Sequence, residues 1–552
     1  MKLHLPVSLR SALFACVSAV VSLTSTMGSS VFTGGVVSFT LAGVAMAADA
    51  TSESGNQTLS HSGGNFTWNT TTGDFSNGDE TVAFTQGDSV IFNGTSTIKF
   101  GEQLTAQCVI IAGGADVTIS GDGAGSLALE TAEVYGTLKL SKGGENGSFS
   151  GDVDVYGTLD FAAGDVTGWS NSLGIKSIDV FEGGRVHVSV GVSGWSNNQT
   201  GAGLAINLMG GSITGVSNAN LDLGYGGSTY GYSSISARAA ADATAENPTV
   251  STVSGTNLTL RQNATTISVA ENARLDISSG ILIASGKELL NSEGSVPAGI
   301  TAGLTKTGVG ELRLSGNNTY TQATTVAEGT LTLTGGAALA SSSVAVNRGA
   351  VFKLDTAADT SINYANQISG SGLLLKTGAG SASIGGLADS FVGHINLQQG
   401  TLSVGSPVVI SSGRELSLGM TGAALDSSLS LGDGKLSLDY SGSGAATSLN
   451  NSALTLLGGT QLQLSSLGNG DGKTYELFAG IGSLLYLVAR CVCHVVDKEL
   501  IYAHRRLALV GNYCHTAHRP CRDIDKFIDI GKFVKIHIAV IVRHSIQTMN
   551  YQ

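Results

Sequence analysis

Leu304-Thr305-Lys306-Thr307-Gly308-Val309-Gly310-Glu311-Leu312-Arg313-Leu314-Ser315-Gly316-Asn317-Asn318-Thr319-Tyr320-Thr321-Gln322-Ala323-Thr324-Thr325-Val326-Ala327-Glu328-Gly329-Thr330-Leu331-Thr332-Leu333 is the stretch whose reading decides the fold. Leu312 and Leu314 alternate with charged residues, and Leu331 and Leu333 alternate with threonines. Successive side chains of a strand point to opposite faces, so each short run offers one aliphatic and one polar face. Glycines at 308, 310, 316 and 329 separate the runs and supply tight corners. No helical period fits any part of it.

The same alternation recurs outward from this stretch, in Thr158-Leu159-Asp160-Phe161, Arg185-Val186-His187-Val188-Ser189-Val190 and Arg274-Leu275-Asp276-Ile277. Val134-Tyr135-Gly136-Thr137-Leu138 returns as Val155-Tyr156-Gly157-Thr158-Leu159, and Leu416, Leu436 and Leu456 are evenly spaced farther on. A period near twenty residues with glycine at the turns predicts a β-solenoid, whose coils bury their aliphatic faces and stack through the backbone. At about 4.8 Å per coil, 18 to 21 coils would make a rod of roughly 90 to 100 Å. The competing architecture, an array of β-sandwiches, calls for Asn-Gly or Asp-Gly hairpins, whereas here Gly-Thr-Leu recurs at Gly136, Gly157, Gly329 and Gly400.

Composition agrees with an ordered, strand-rich chain. Charged residues make up 13% and hydrophobic ones 42%, the reverse of a disordered chain, and five prolines exclude collagen. The last 72 residues hold ten of the 29 Lys and Arg but five of the 41 Asp and Glu, so the body before them is distinctly acidic. That balance argues against a nucleic-acid partner, which requires a basic footprint. Before residue 481 the cysteines are Cys16 and Cys108. The fold is therefore expected to hold together without disulfide staples, with Cys108 a small buried hydrophobe rather than a nucleophile.

Residues 1–47 read as a secretory leader: Lys2 and Arg10 precede two apolar stretches, and Ala45-Met46-Ala47 is an A-x-A processing signal. An uncleaved membrane anchor is the competing reading, although Ser, Thr and Gly interrupt both stretches.

The quoted segment closely resembles the autotransporter-associated β-strand repeat. The residues that carry the likeness are Lys306, Thr307, Gly308, Gly310, Leu312, Leu314, Gly316, Asn318, Thr319, Tyr320, Thr325, Val326, Gly329, Thr330 and Leu331. A worn second copy spans Leu375 to Val404, keeping Lys376-Thr377-Gly378-Ala379-Gly380 and Gly400-Thr401-Leu402 but replacing Asn-Thr-Tyr with Ala388-Asp389-Ser390-Phe391. The resemblance implies an all-β, right-handed parallel β-helix, exported to the bacterial surface or beyond, ordinarily through an outer-membrane translocator. The expected domains are a leader (1–47), a divergent solenoid (48–300), the repeats (301–405), a solenoid continuation (406–480) and an anomalous tail (481–552).

The tail departs from the pattern. It holds six of the ten histidines and four of the six cysteines but only three glycines, Gly482, Gly511 and Gly531, and it shows no barrel-like run of strands. It reads as frameshifted or otherwise non-native, leaving the passenger without its translocator. A zinc site from Cys491, Cys493, His494, Cys514, His515, His518 and Cys521 is the rival reading, with spacing that fits no common knuckle.

Catalytic signals are weak. Gly87-Asp88-Ser89-Val90 lacks the partners of either nucleophile motif that it approaches and reads as a turn. Asn469-Gly470-Asp471-Gly472 departs from the calcium-loop order, and Asp152-Val153-Asp154 has no basic partner in sequence. His187 and His394 read as outward strand residues. Tyr225, Tyr230 and Tyr232 are candidates for glycan stacking, as are Trp169 and Trp195, with plain loop packing the alternative. No metal or cofactor is expected. The functional expectation is a non-enzymatic adhesin or surface scaffold that meets host or environmental glycans or surface proteins. The alternative is a β-helical polysaccharide hydrolase or lyase, which needs clustered acidic or basic side chains on one face.

Overall fold

The computed structural model describes residues 56–120, 125–141, 149–162, 173–189, 205–223, 234–260, 265–283, 303–419, 423–431 and 434–439, and short strands between 447 and 507. Every regular element among them is a β-strand, so no helix long enough to cross a membrane occurs there. The chain forms two compact units, 1–256 and 257–552.

In the first unit each coil contributes one strand to each of two parallel sheets. The first sheet stacks Thr58–His61, Ser89–Phe92, Gln103–Ile111, Ser126–Val134, Phe149–Val155, Leu173–Phe181, Ala205–Met209 and Ser234–Ala237. The second stacks Gly64–Trp68, Ser96–Phe100, Asp116–Ile119, Thr137–Leu140, Thr158–Phe161, Arg185–Val188 and the start of Ser212–Leu223. Leu138 lies opposite Leu159, so the Tyr-Gly-Thr-Leu repeat seen in the sequence is one coil. The alternation works as expected: Leu138, Leu140, Leu159, Val186 and Val188 are all buried. Parallel register puts like side chains on top of one another, so each core column is continuous and dry.

The two corners of the coil differ. From the first sheet to the second the chain turns within residues 112–115, 135–136, 156–157, 182–184 and 210–211, and then takes the longer segment 238–248. The return takes residues 141–148, 162–172, 189–204 and 224–233, whose flanking strand ends all belong to the same corner. Of the five longest intervals between strands in residues 126–256, four thus fall at the return corner and one, 238–248, at the other.

A hairpin closes the N-terminal end. Phe75–Asn77 and Glu80–Val82 pair antiparallel, and Ser76 lies opposite Ser60 on the first strand of the stack. This blunts an edge that would otherwise present unpaired backbone. Trp68, Phe75, Phe84, Phe92 and Phe100 fill the space beneath it, with Trp68 and Phe84 edge-to-face at 5.0 Å between centroids. His61 joins them, buried and stacked on Phe66 at 4.3 Å, its Nδ1 accepting the Gly63 N–H. Burial holds the imidazole below its ordinary range, and Asp74 opposes the shift only partly. A lowered folded pKa means that the unfolded state binds more protons just below pH 6.5, so this cap loses stability as pH falls. Hydrogen exchange in residues 75–82, corrected for intrinsic rate, is expected to be faster at pH 5.5 than at pH 7.5. In His61→Phe that difference should disappear.

Cys108 corrects the sequence reading. It is buried as expected, but its sulfur is disulfide-bonded rather than a free thiol.

The second unit continues the two-sheet plan through the repeats. Thr265–Val269, Leu304–Thr307, Thr324–Val326, Ser343–Val346, Ser361–Gly370, Ser381–Phe391 and Gly400–Val404 form one sheet. Ala273–Ile277, Glu311–Leu314, Thr330–Thr334, Val351–Asp355, Leu373–Thr377, His394–Leu397, Glu415–Gly419 and Lys435–Asp439 form the other. A third side, already present where Asn317–Asn318 pairs with Ala338–Leu339, returns at Val408–Ile410 and stacks Leu429–Leu431, Ala453–Leu456 and Ser483–Leu485. Here the even leucine spacing misleads. Leu416 faces Leu436, but the next residue in that column is Leu462, whereas Leu456 lies opposite Leu431 on the third side. Parallel pairing also runs past residue 481, where Ala489–Val496 lies against Gln461–Ser465 before pairing antiparallel with His504–Leu507.

Candidate functional site: the repeat corner and an acidic face

Two arrangements in the described residues bear on function, one in each unit. The first is the Lys-Thr-Gly corner. Leu304 faces inward and Thr305 outward, so alternation turns Lys306 inward, where its side chain is fully buried. The charge survives because the ammonium donates to three backbone carbonyls: Thr307 O (2.9 Å), Gly308 O (2.5 Å) and Glu328 O (3.2 Å). The last belongs to the next coil, so the side chain ties two coils together from within. Burial pushes the amine down to about 8, with Glu328 pulling the other way. The Glu328 carboxylate also accepts the Gly308 N–H.

Gly308 makes the corner with φ +73°, and a Cβ there would lie 2.3 Å from Val269 O. At Gly310 a Cβ would meet Ala270 O at 2.2 Å. The strand that follows sends Leu312 and Leu314 into the core, and Thr330 N–H donates to Gly310 O one coil on.

Asn318 and Tyr320 hold the far side of the same coil. Asn318 is fully buried; its Oδ1 accepts Ile281 N–H, and its Nδ2 donates to Gly316 O and Ala338 O. One amide thus bridges three successive coils, and Thr319 N–H adds a bond to Ile281 O. Tyr320, also fully buried, pairs its hydroxyl with Thr324 Oγ1 (2.7 Å), which in turn donates to Ser341 Oγ. Val326 and Leu331 are core residues, while Thr307, Thr325 and Thr330 lie on the half-exposed outer parity. All fifteen motif residues therefore build the coil.

The second copy repeats the corner atom for atom. Lys376 is fully buried and donates to Thr377 O (2.6 Å), Gly378 O (2.8 Å) and Gln399 O (3.1 Å). Yet Lys376 belongs to the opposite sheet from Lys306, so the two copies sit half a coil out of phase. In place of the Asn-Thr-Tyr turn runs one long strand, Ser381–Phe391, whose Phe391 is buried beneath Arg414.

The second arrangement lies on the outer side of the first unit. Glu133, Asp154 and Asp179 occupy successive strands in direct register. Two residues along, Tyr135, Tyr156 and Phe181 stack nearly parallel, with centroids 4.8 and 4.5 Å apart. Tyr135 donates to Glu133 Oε2 at 3.0 Å, while Glu133 Oε1 is buried without a hydrogen-bond partner. Desolvation, followed by Asp179, Glu133 and Asp152, pushes the Asp154 carboxyl up to about 7. Glu133 is raised by burial as well. Asp179 is eased by Asn207 Nδ2 at 2.6 Å and by Arg238 at 3.8 Å.

The remaining sequence candidates separate clearly. The Asp88 carboxylate accepts the N–H groups of Gln57 and Thr85, which makes it a turn-holder and not part of a nucleophile. His187 bonds Thr214 on the outer face, and His394 is exposed. Tyr225, Tyr230, Tyr232, Trp169, Trp195 and 469–472 lie outside the described residues, as do residues 1–55. Among the described residues no group of three or more His, Cys, Asp or Glu is set to hold a metal. The inward lysines were legible in principle, since Lys306 shares the parity of Leu304 and Lys376 that of Leu374. The acidic column was not, because its members are scattered over three successive coils.

Residues 304–336 and 374–404 match the passenger-associated-transport-repeat. The chain carries autotransporter passenger repeats. Such repeats mark the passenger domains of autotransporters, which are exported to the surface or secreted. The matched stretches start and end close to the Lys-Thr-Gly corners and the Gly-Thr-Leu strands described above, and each supplies two strands to each sheet, so one repeat spans more than one coil. No curated protein and no solved structure matches the chain.

Proposed function

We propose that the chain is a non-enzymatic surface passenger, a scaffold or adhesin whose solenoid presents variable segments to partners outside the cell. The observation that carries this is the asymmetry of the first unit's corners. The return corner takes the intervals 141–148, 162–172, 189–204 and 224–233, while the other corner takes one long interval, 238–248. A stem whose longer connections fall mostly at one corner suits display. The repeats support the stem by locking coils from inside through buried Lys306, Asn318 and Tyr320. Residues 1–47 serve as the export leader, the segment from about 481 is foreign to the passenger, and an outer-membrane translocator is the partner needed for export. Host or environmental glycans and surface proteins are the ligands of that edge.

A β-helical polysaccharide hydrolase or lyase remains the second reading, favoured by the acidic column on one face. The column buries Glu133, however, whereas glycoside hydrolysis needs two carboxyls flanking an open sugar site. A glycan array with the full chain, followed by product analysis on every hit, separates the readings. Binding without turnover is expected, and it should be lost when residues 190–203 are replaced by a short Gly-Ser linker. Turnover that disappears in Asp154→Asn would overturn the non-enzymatic reading.

A further inference from the structure

The carboxyl column in the first unit is more than an acidic patch. Parallel register repeats its spacing, so Asp154 has Glu133 one strand to one side and Asp179 one strand to the other, each about 4.8 Å away by backbone. Its own strand adds Asp152, and the adjoining corner adds Tyr135 and Tyr156. Burial holds both phenols well above their ordinary range, Tyr156 at about 12, so they stay neutral at any physiological pH. Among the described residues the one cation on this column is Arg238, which reaches Asp179 rather than Asp154. Asp152 is exposed and accepts from Ser177 Oγ. Three carboxylates in line with one peripheral arginine cannot all ionise without strain, and the Glu133 oxygen left without a partner is where a shared proton would be accepted.

We propose that Glu133, Asp154 and Asp179 form a proton-operated clamp that holds strands Ser126–Val134, Phe149–Val155 and Leu173–Phe181 together more tightly in acid than at neutral pH. With a proton on Asp154, its hydroxyl donates to a neighbouring carboxylate and the column becomes a hydrogen-bonded ladder. Without it, like charges face each other across two strand pairs. Asn207 and Arg238 contact Asp179, whereas Asp154 lies between two carboxyls in register, so Asp154 is the member placed to take the proton.

The sign follows from linkage. A carboxyl raised in the folded state binds more protons there than when unfolded, so its contribution to stability is present at low pH and is lost as pH rises towards 7. This is opposite to the His61 cap in the same unit, and the two are separable by position.

Hydrogen exchange followed by mass spectrometry on the full chain, corrected for intrinsic rates, tests the clamp. Protection of residues 126–134, 149–155 and 173–181 should be about tenfold or more higher at pH 5 than at pH 7.5. Asp154→Asn, which supplies a neutral donor of the same shape, should show the acid level of protection at both pH values. Strand 311–314 in the second unit should show no such change. Equal or lower protection of the three strands at pH 5, or a full pH response in Asp154→Asn, would overturn the proposal. Asp179→Asn gives a second check: relief of repulsion from that side should shrink the response, and an unchanged response counts against the clamp.

Discussion

Replacing Lys306 with methionine is expected to destabilise the second unit by about 3 kcal/mol or more, because three buried carbonyls lose their shared donor. Methionine matches the stem in length and keeps the packing, so the loss isolates the ammonium. Lys376→Met should cost a similar amount, and the double variant should be close to the sum, since the two corners share no partner. Denaturant unfolding of the full chain gives the energy, and exchange in residues 304–331 shows that the opening is local. There is a pH signature as well. Burial holds the folded amine down at about 8, below its ordinary 10.5, so the unfolded chain binds more protons between the two values. Stability should therefore rise with pH across that window in the wild type, and the rise should be smaller in Lys306→Met. A variant as stable as the wild type would show that the carbonyls are satisfied without the lysine.

Gly308→Ala and Gly310→Ala are expected to be the other damaging changes, at about 3 kcal/mol each, through backbone clashes that no side-chain movement relieves. Gly308 also pays for its left-handed φ, about 1 to 2 kcal/mol. Gly413 provides the internal comparison: its φ is +80°, yet nothing lies within 4 Å of an added Cβ. Gly413→Ala should cost only the conformational part, about 1 kcal/mol. Thermal or denaturant midpoints of the three variants check this directly. If Gly308→Ala and Gly413→Ala cost the same, the close approach of coils at the Lys-Thr-Gly corner contributes nothing.

Both expectations concern one short motif, and that motif shows how far reading goes. The alternation around Leu312 and Leu331 indicates strands, and the recurrence of Tyr-Gly-Thr-Leu at 135 and 156 indicates one coil per recurrence. Period-two patterning and corner glycines are local properties, so they survive in the sequence. Leu456 shows the limit: from Val408 the coils carry a continuous third side, and a spacing of twenty there joins residues on different sides. Cys108 shows another, since a disulfide requires a partner that sequence distance does not reveal.

The acidic column illustrates the same divide in the candidate site. Asp152-Val153-Asp154 was visible as a pair without a counterpart, but Glu133 and Asp179 become its neighbours only when strands stack in register. The Tyr135–Tyr156–Phe181 stack is half legible, because two of its members belong to the visible repeat and the third does not.

By itself the sequence determined that this protein is a parallel strand solenoid with passenger repeats, because strand parity and glycine corners are written within a few residues of each other. Only the tertiary structure decided which sheet each repeat serves. Lys306 and Lys376 make the same three-carbonyl corner on opposite sheets, since the corner is built from local backbone while its phase depends on how many strands intervene. The structure alone also decided which corner takes each long connection and that three distant carboxyls share one column. Register is a property of coils counted together, and no single coil carries it.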